Sequence, residues 1–470
     1  LRIEMQKFNL FSLFSGAGGI DLGFTLTNKF NPIFANDVLN APAETYADNF
    51  HHRIFSAREE ILNKFPFYLV GDVGEVDFEK INHENIDVVV GGPPCQDFSV
   101  VRGPVKERQG LSVKRGRLYA HFIRALIHIQ PKVFVFENVP GLKSANKGSA
   151  YKIILDDFSN LGIRWQEIRG IVGNNSGDGV KNYEVIFSDV VDSSALGVPQ
   201  RRRRLIVIGV REDLFKSNWM LFNTLKNEIE KTLLGYDSLL KKYPLTTMEA
   251  FEGVPLPELQ DEYKNVMMDY KDIAKLVATE RAAEWEKSIW SNLSFDAVTD
   301  YLAANRIKPK NSREIDEAFN IHAEVLKELG FYKKSIEGKN ISDGSNNAAE
   351  ESEAVIERMR MIPPDENYLF VKGTKWEVEG RGISLIYRRL HPLKPAYTVV
   401  AYGGGGTWGY HYRRNRARLT NRERARLQSF PDSFLFKGNT LQVRAQIGEA
   451  VPPMMGKKIA EVVDSILERS

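Results

Sequence analysis

The stretch Val88-Val-Val-Gly-Gly-Pro-Pro-Cys-Gln-Asp-Phe-Ser99 constrains this chain more than any other, because it ends a buried strand abruptly in front of the sequence's only cysteine. Three consecutive β-branched residues, Val88 to Val90, favour a strand covered on both faces. Gly91, Gly92, Pro93 and Pro94 then stop both sheet and helix, since each proline fixes φ and removes a donor. Cys95 is left at the strand's carboxyl end, the edge at which open α/β sheets bind ligands. A lone cysteine is ordinarily a small buried hydrophobe. Held by a rigid turn at this edge, its thiol reads instead as a nucleophile.

A chain of 470 residues, 43% of them hydrophobic, suits two or three domains with a large core. One cysteine excludes a disulfide framework and a cysteine-based zinc cluster, so the expectation is a reducing, cytosolic setting and no metal site. No apolar run approaches a membrane span, and the amino terminus lacks a signal-peptide layout, which points to a soluble intracellular protein. The net charge is only +3, yet the basic residues are clustered. Arg201 to Arg204 are consecutive, and seven arginines between Arg413 and Arg426 stand against one acid, Glu423. Such local excess is the footprint of a polyanion partner, with a solvated charged face as the ordinary alternative.

Three further strand ends share the chemistry of one pocket. From Phe8 an apolar strand breaks into Phe14-Ser-Gly-Ala-Gly-Gly19 and restarts with helical spacing at Ile20, Leu22 and Phe24. No Gly-Lys-Ser/Thr follows, and Asp21 stands where a dinucleotide fingerprint has its third glycine, so a pyrophosphate ligand is not expected. The strand Pro32 to Ala35 ends in Asn36-Asp37, an acid placed to take ribose hydroxyls, and the strand Tyr68 to Val70 ends in Gly71-Asp72-Val73. Together these read as a nucleoside pocket without phosphates; Asp72 alone would be an ordinary turn residue. Beyond Cys95, residues 100–117 form a basic, glycine-containing loop, followed by a helix from Leu118 to Ile129. The strand Val133 to Phe136 then delivers Glu137-Asn138 to the same edge as Cys95, Tyr183 to Phe187 reads as another strand, and the arginine run leads into a strand from Leu205 to Val210. Fused to a strand, those arginines suit a fixed clamp for an anion or a carbonyl rather than a solvated hairpin.

With these motifs in order, the chain resembles the cytosine-C5 DNA methyltransferases. The family's cofactor loop is similar to Phe14–Gly19, its nucleophile motif to Gly92-Pro93-Pro94-Cys95-Gln96, its Glu-Asn-Val motif to Glu137-Asn138-Val139, and its Gln-x-Arg-x-Arg motif to Gln200, Arg202 and Arg204. The run from Arg418 to Pro431 and the run from Gln446 to Pro453 resemble its last two motifs, so the likeness covers roughly the first 210 and the last 85 residues. One departure is Glu449, which stands where the family usually has asparagine in Gly-Asn-x-Val.

The resemblance implies an α/β fold: a doubly wound, mostly parallel, Rossmann-like sheet with a smaller inserted target-recognition domain. The boundaries expected from the motifs are 6–210 for the catalytic and cofactor-binding domain, 211–435 for the recognition domain, and 436–470 for a segment completing the first. Within the variable stretch the sequence itself predicts helices: Ser312 caps a segment with Ile315, Phe319, Leu326 and Leu329 on one face, and an amphipathic run spans Ile273 to Trp290. Residues 336–347 read as a polar loop. Gly403 to Gly406, followed by Trp408, Tyr410, His411 and the arginines, suits close approach to DNA.

The implied chemistry is methyl transfer from S-adenosyl-L-methionine to C5 of a cytosine in double-stranded DNA. Cys95 would add to C6, Glu137, with Asn138 beside it, would hold N3 and the exocyclic amine, and Arg202, with Arg204 beside it, would hold O2. C6 is out of reach inside a stacked duplex, so the base must be flipped. By the same resemblance the cofactor would lie on Phe14, Ala17, Gly18, Gly19, Asp37, Val38, Asp72, Val73, Gly92, Pro94, Leu118, Glu449, Ala450 and Val451. DNA would meet Gln96, Ser99, Val101, Arg115, Arg117, Gly404, Gly405, Trp408, Arg413 and Arg414. The implied biology is a prokaryotic modification enzyme, monomeric on DNA in the cytosol, with a cognate restriction endonuclease acting separately. Two rivals stay open at this level: a tRNA cytosine methyltransferase, against which the large insert speaks, and an inactive DNA-binding regulator, against which the intact Cys95, Glu137 and Arg202 speak.

Overall fold

The computed structural model describes residues 7–56, 65–81, 86–94, 116–173, 180–216, 218–348, 350–378, 386–402 and 408–470. Cys95, Gln96, Ser99, Val101, Arg115, Gly404 and Gly405 lie outside these described residues. Packing divides the chain into two compact units, one of Leu1–Asp192, Arg203–Asp237 and Pro453–Ser470 and another of Ser193–Arg202 and Ser238–Pro452.

In the first unit, β1 (Phe8–Leu13), β2 (Phe30–Asp37), β3 (Arg53–Ser56), β4 (Phe67–Val70), β5 (Val88–Gly91), β6 (Val133–Asn138), β7 (Tyr183–Asp192) and β8 (Arg203–Arg211) form one sheet in the order β3-β4-β2-β1-β5-β6-β8-β7. The strands from β3 to β6 pair in parallel, while β8 and β7 are antiparallel. The strand order reverses at β1, whose neighbours are β2 and β5. Ligands of such sheets bind at that reversal.

The sheet is covered on both faces, which is why its central strands are apolar throughout. Phe11 and Leu13 of β1 and Phe134 and Phe136 of β6 face one core, shared with Phe122, Ile123 and Leu126 of the helix Arg117–Ile129 and with Phe158 and Trp165. Ser12, of opposite parity, faces the helix Gly19–Leu26. That helix packs against the terminal helix Pro453–Arg469 so closely that a Cβ on Gly23 would lie 2.4 Å from the Gly456 carbonyl carbon and 2.5 Å from the Pro453 oxygen. The terminal helix thus joins the sheet unit by backbone approach, which only glycine allows.

The units part at other points than the motif boundaries. The helix Trp219–Leu233 packs on β7 and on the terminal helix, which places 211–237 with the sheet. The helix Thr440–Glu449 packs on the helix Asn421–Leu427, which places 436–452 with the second unit. Two local readings are also corrected. Asn311, not Ser312, caps the helix Ser312–Glu328, accepting the Glu314 N–H at 2.9 Å. The run from Ile273 is two helices, Ile273–Val277 and Glu280–Ser288, because Ala278 turns left-handed and Thr279 caps the second. Among the described residues, no helix is long and apolar enough to cross a membrane.

The second unit contains a fully buried ion pair. His322 Nδ1 lies 2.8 Å from Glu249 Oε1, and its Nε2 lies 2.9 Å from the Tyr243 carbonyl oxygen. Both partners are acceptors, so both ring nitrogens donate and the ring is charged. Burial disfavours that charge, but Glu249 and the two hydrogen bonds outweigh it and the His322 pKa is raised. A raised folded-state pKa contributes stability that is fully present below the unfolded value, about 6.5, and is lost as pH rises through the folded value.

Two outcomes are expected. Gly23→Ala should lower stability by about 2–3 kcal/mol through overpacking, read as a shift in the urea midpoint; an unchanged midpoint would refute the close approach. The wild-type melting temperature should fall as pH rises from 6 towards 9, and His322→Gln should flatten that decline while lowering stability at pH 6. Parallel pH slopes in the two proteins would contradict a charged His322.

Candidate active site

Strand pairing brings the chemistry of the first unit to one edge. β6 ends in Glu137-Asn138, and because β8 runs antiparallel to it, Arg204 at the start of β8 returns to the same edge. Arg204 Nε meets Glu137 Oε1 at 2.8 Å, with each side chain about 15% exposed. On the other side, a Cβ on Gly92 would lie 2.6 Å from Glu137 Oε2. The carboxylate is therefore held between a guanidinium and a residue without a side chain. Asn138, buried, donates from Nδ2 to the Pro93 carbonyl at 3.0 Å and accepts the Val139 N–H at 2.9 Å. It ties the end of β6 to the Gly92-Pro93-Pro94 turn that precedes Cys95. Pro94 is exposed at the end of that turn.

Arg202 belongs elsewhere. It is 1% exposed in the second unit, where Nη1 donates to the Val399 carbonyl at 3.0 Å and Nη2 to the Gly448 and Glu449 carbonyls at 2.8 and 3.3 Å. Its clamp closes on this chain's own backbone. O2 recognition was expected of Arg202, but Arg202 precedes β8 and bonds backbone in the second unit, whereas Arg204, within β8, is the arginine that meets Glu137. Gln200 is likewise internal, bonded to Gln428 Oε1 at 2.8 Å and to the Val399 N–H at 2.6 Å.

The loop after β1 forms a cradle at the same edge. Phe14, Gly16 and Gly18 all have positive φ, at 55°, 52° and 86°. Phe14 does so without glycine's freedom, a strain typical of ligand sites. Ser15 is fastened to Asn36 through both backbone and hydroxyl, and Gly16 donates its N–H to Asp37 Oδ2 at 3.1 Å. Ala17 and Gly19 are buried behind the loop. Asp37 Oδ1 accepts the Val38 and Leu39 N–H groups at 2.7 and 3.3 Å. Burial pushes the Asp37 carboxyl up, against these three backbone donors.

Asp72 caps the short turn Val73–Glu75 by accepting the Gly74 N–H at 2.7 Å, and Val73 is buried with its carbonyl held by Arg124. Leu118 packs half-buried on the main core from the helix that Arg117 begins. These features fit S-adenosyl-L-methionine. The space above Gly16 is open to 4 Å, Val38 is 63% exposed and Leu39 50%, and Asp37 Oδ2 retains a lone pair for a hydroxyl. An apolar ledge beside an acid suits a nucleoside.

In the second unit, Glu449 is the exposed last residue of its helix and accepts a hydrogen bond from the Tyr402 hydroxyl, while Ala450 and Val451 are half-buried. Of the residues expected to touch DNA there, Trp408 is buried and Arg413 and Arg414 are part-buried and paired with acids. Arg413 pairs with Glu252, Glu262 and Glu337 at 2.8, 2.9 and 2.6 Å, and Arg414 with Asp272 at 2.7 Å. Arg416 pairs with Glu423, Arg418 with Glu351, Arg422 with Asp343 and Arg426 with Asp432. Trp408 is 5% exposed, and its ring carries the guanidinium of Arg424. Apart from Glu423, which lies within the run, the acids escaped the local count because they lie 60 or more positions away or, like Asp432, just beyond its end.

A parallel sheet with a nucleoside cradle and an acid–guanidinium pair along one carboxyl edge defines a cofactor-dependent transferase of the Rossmann-like methyltransferase class. A profile of C-5 cytosine-specific DNA methylases matches residues 8–465, and the chain belongs to that family. It is 52% identical over 467 residues to the DNA (cytosine-5-)-methyltransferase M.ApeKI of Aeropyrum pernix, covering 99% of this chain and 100% of that one. It is 32% identical to the type II methyltransferase M.NgoFVII of Neisseria gonorrhoeae, covering 99% and 88%. Among solved structures, a prophage-encoded E. coli protein described as a DNA modification methyltransferase matches 98% of this chain at a TM-score of 0.52 and 21% identity, a likeness of fold. The protein is a DNA cytosine-C5 methyltransferase, and its methyl donor is S-adenosyl-L-methionine.

Gly92→Ala should displace the Glu137 carboxylate by about 1 Å and lower the methyl-transfer rate by about a hundredfold, with an unchanged melting temperature. Activity within threefold of wild type would show that the contact does not set the carboxylate's place.

Proposed function

We propose that the protein methylates C5 of a cytosine flipped out of duplex DNA, with Cys95 as the nucleophile, Glu137 on N3 and the exocyclic amine, and Arg204 on O2. The observation that carries this reading is the Glu137–Arg204 pair, held against Gly92 at the edge to which Asn138 fastens the turn before Cys95. C5 of cytosine is a weak nucleophile. Addition of the Cys95 thiolate to C6 forms a C–S bond and moves the C5–C6 π pair onto C5, while Glu137 supplies a proton at N3 and Arg204 holds O2 as charge develops. S-adenosyl-L-methionine, when bound, supplies an electrophilic methyl group on a sulfonium. Loss of the C5 proton then breaks the C6–S bond and returns the thiolate. The flipped base costs a few kcal/mol of unstacking, offset by protein contacts.

The methyl donor would rest on Phe14, Gly16 and Gly18, with its ribose at Asp37 and an apolar edge on Val38, Leu39 and Pro94. The stretch between Ser238 and Tyr402 would carry target recognition. The type II methyltransferase names of several relatives support a role as the modification partner of a restriction endonuclease. That endonuclease would act on its own.

DNA carrying 5-fluorocytosine tests the chemistry, because after methylation C5 holds fluorine in place of the proton that must leave. Wild type should form an adduct that survives denaturation, Cys95→Ser should form none, and Arg204→Ala should slow its formation by about 10²-fold. An adduct in the serine variant, or none in wild type on DNA that it methylates when unfluorinated, would overturn the mechanism.

A further inference from the structure

Among the buried carboxylates that the chemistry above does not use, one lies beside the glycine loop after β1. Asp21, in the first turn of the helix Gly19–Leu26, has no exposed surface. Its Oδ2 accepts the Ser12 hydroxyl and its Oδ1 the Tyr46 hydroxyl, each at 3.1 Å. Among the described residues it has no lysine or arginine partner, and burial raises its pKa to about 7 against those two hydroxyls. Such a group is costly to bury, and an apolar residue would pack there more cheaply.

What it holds is the floor of the cofactor loop. Tyr46, also fully buried, lays its ring under Gly18, where a Cβ would lie 2.7 Å from the nearest ring carbon and 2.6 Å from Phe50. Tyr68 meets the Tyr46 ring edge-on, with centroids 5.0 Å apart, and donates its hydroxyl to the Gly16 carbonyl at 3.1 Å. A chain of contacts therefore runs from Asp21 through Tyr46 to Gly18, and through Tyr68 to Gly16. An ionised carboxylate accepts from both hydroxyls at once. A protonated one carries an O–H donor on one oxygen and accepts more weakly, which loosens the hold on Ser12 and Tyr46.

We propose that Asp21 is a positioning residue for the methyl donor: its ionised carboxylate fixes Tyr46 beneath Gly18, and cofactor affinity follows the charge on Asp21. The proposal rests on the reading that the donor lies on this loop. Tyr46 and Tyr68 are held far above their ordinary values by burial, and His52, packed edge-on to Tyr46, is pushed down by burial. Asp37 on β2 faces Gly16. On the terminal helix that packs against Asp21's helix, Lys457 and Lys458 pair with Glu461, and Asp464 with Lys29.

The test is calorimetric titration of S-adenosyl-L-methionine into the full chain between pH 6 and 8, with melting temperatures of the unliganded proteins alongside. Wild-type affinity should fall roughly tenfold from pH 8 to pH 6 as Asp21 takes up its proton. Asp21→Asn should bind about tenfold more weakly at pH 8 and show no such slope. Tyr46→Phe should weaken binding similarly, and the double variant should add little to either. At saturating donor, kcat should stay within twofold while KM for the donor rises. Gly18→Ala, whose methyl collides with Tyr46, separates the two readings. If it leaves affinity unchanged, the donor is not on this loop. If it abolishes binding while Asp21→Asn binds like wild type, or keeps the wild-type pH slope, the role given to Asp21 is wrong.

Discussion

The first unit depends on a carboxylate that has room only because its neighbour is glycine. Glu137 reaches over Gly92 on one side and to Arg204 on the other, and both contacts follow from strand pairing. β5 and β6 are parallel, so their carboxyl ends lie side by side, Gly91 opposite Phe136. β8 is antiparallel, so its amino end meets the carboxyl end of β6, with Leu205 opposite Asn138. Had β8 run parallel, its arginines would sit at the far edge, a strand's length from the acid. The turn through Pro93 is held by Asn138 in turn. One acid, one glycine and one antiparallel strand therefore define the geometry of this edge.

The second unit meets a different constraint. Among its described residues are helices and isolated bridges such as Gln200 to Ala396 and Arg389 to Tyr410, but no extended ladder. Backbone carbonyls in such irregular chain need donors when buried. Arginine supplies them in number. Arg389, fully buried, donates to the carbonyls of Met359, Ile362, His411, Arg413 and Arg416. Arg422 reaches Pro431 and Phe434 as well as Asp343, and Arg426 reaches Ala250, Phe251 and Lys334 as well as Asp432. The five donors of one planar guanidinium do what a strand partner does elsewhere. The buried members of the arginine run, Arg422 and Arg426 among them, thus serve as an internal scaffold.

Seven of the sheet's eight strands, the glycine loop and the acids at the strand ends were legible along the chain, because each is a local pattern: a β-branched run, a glycine break, a polar residue at the break; the short edge strand β3, Arg53–Ser56, was not expected. The helices of the insert were legible in kind, but their breaks were not. Ala278 enters the left-handed region with no glycine to announce it, and Asn311 takes the cap from the serine beside it. Residue roles one step apart were the hardest. Arg202 and Arg204 have the same chemistry and the same local setting, yet one holds backbone and the other meets the acid.

The sequence by itself determined the order of motifs, the cysteine's place after a strand, and the class of reaction, since these depend on residue type and spacing. The tertiary structure alone decided which arginine faces Glu137, which acids neutralise the basic runs, and what lies under Gly18. The physical reason is range. Propensity and turn chemistry act over a few residues, whereas an ion pair such as Arg413 with Glu252, or a tyrosine set beneath a glycine 28 positions earlier, is a contact that only the folded chain creates.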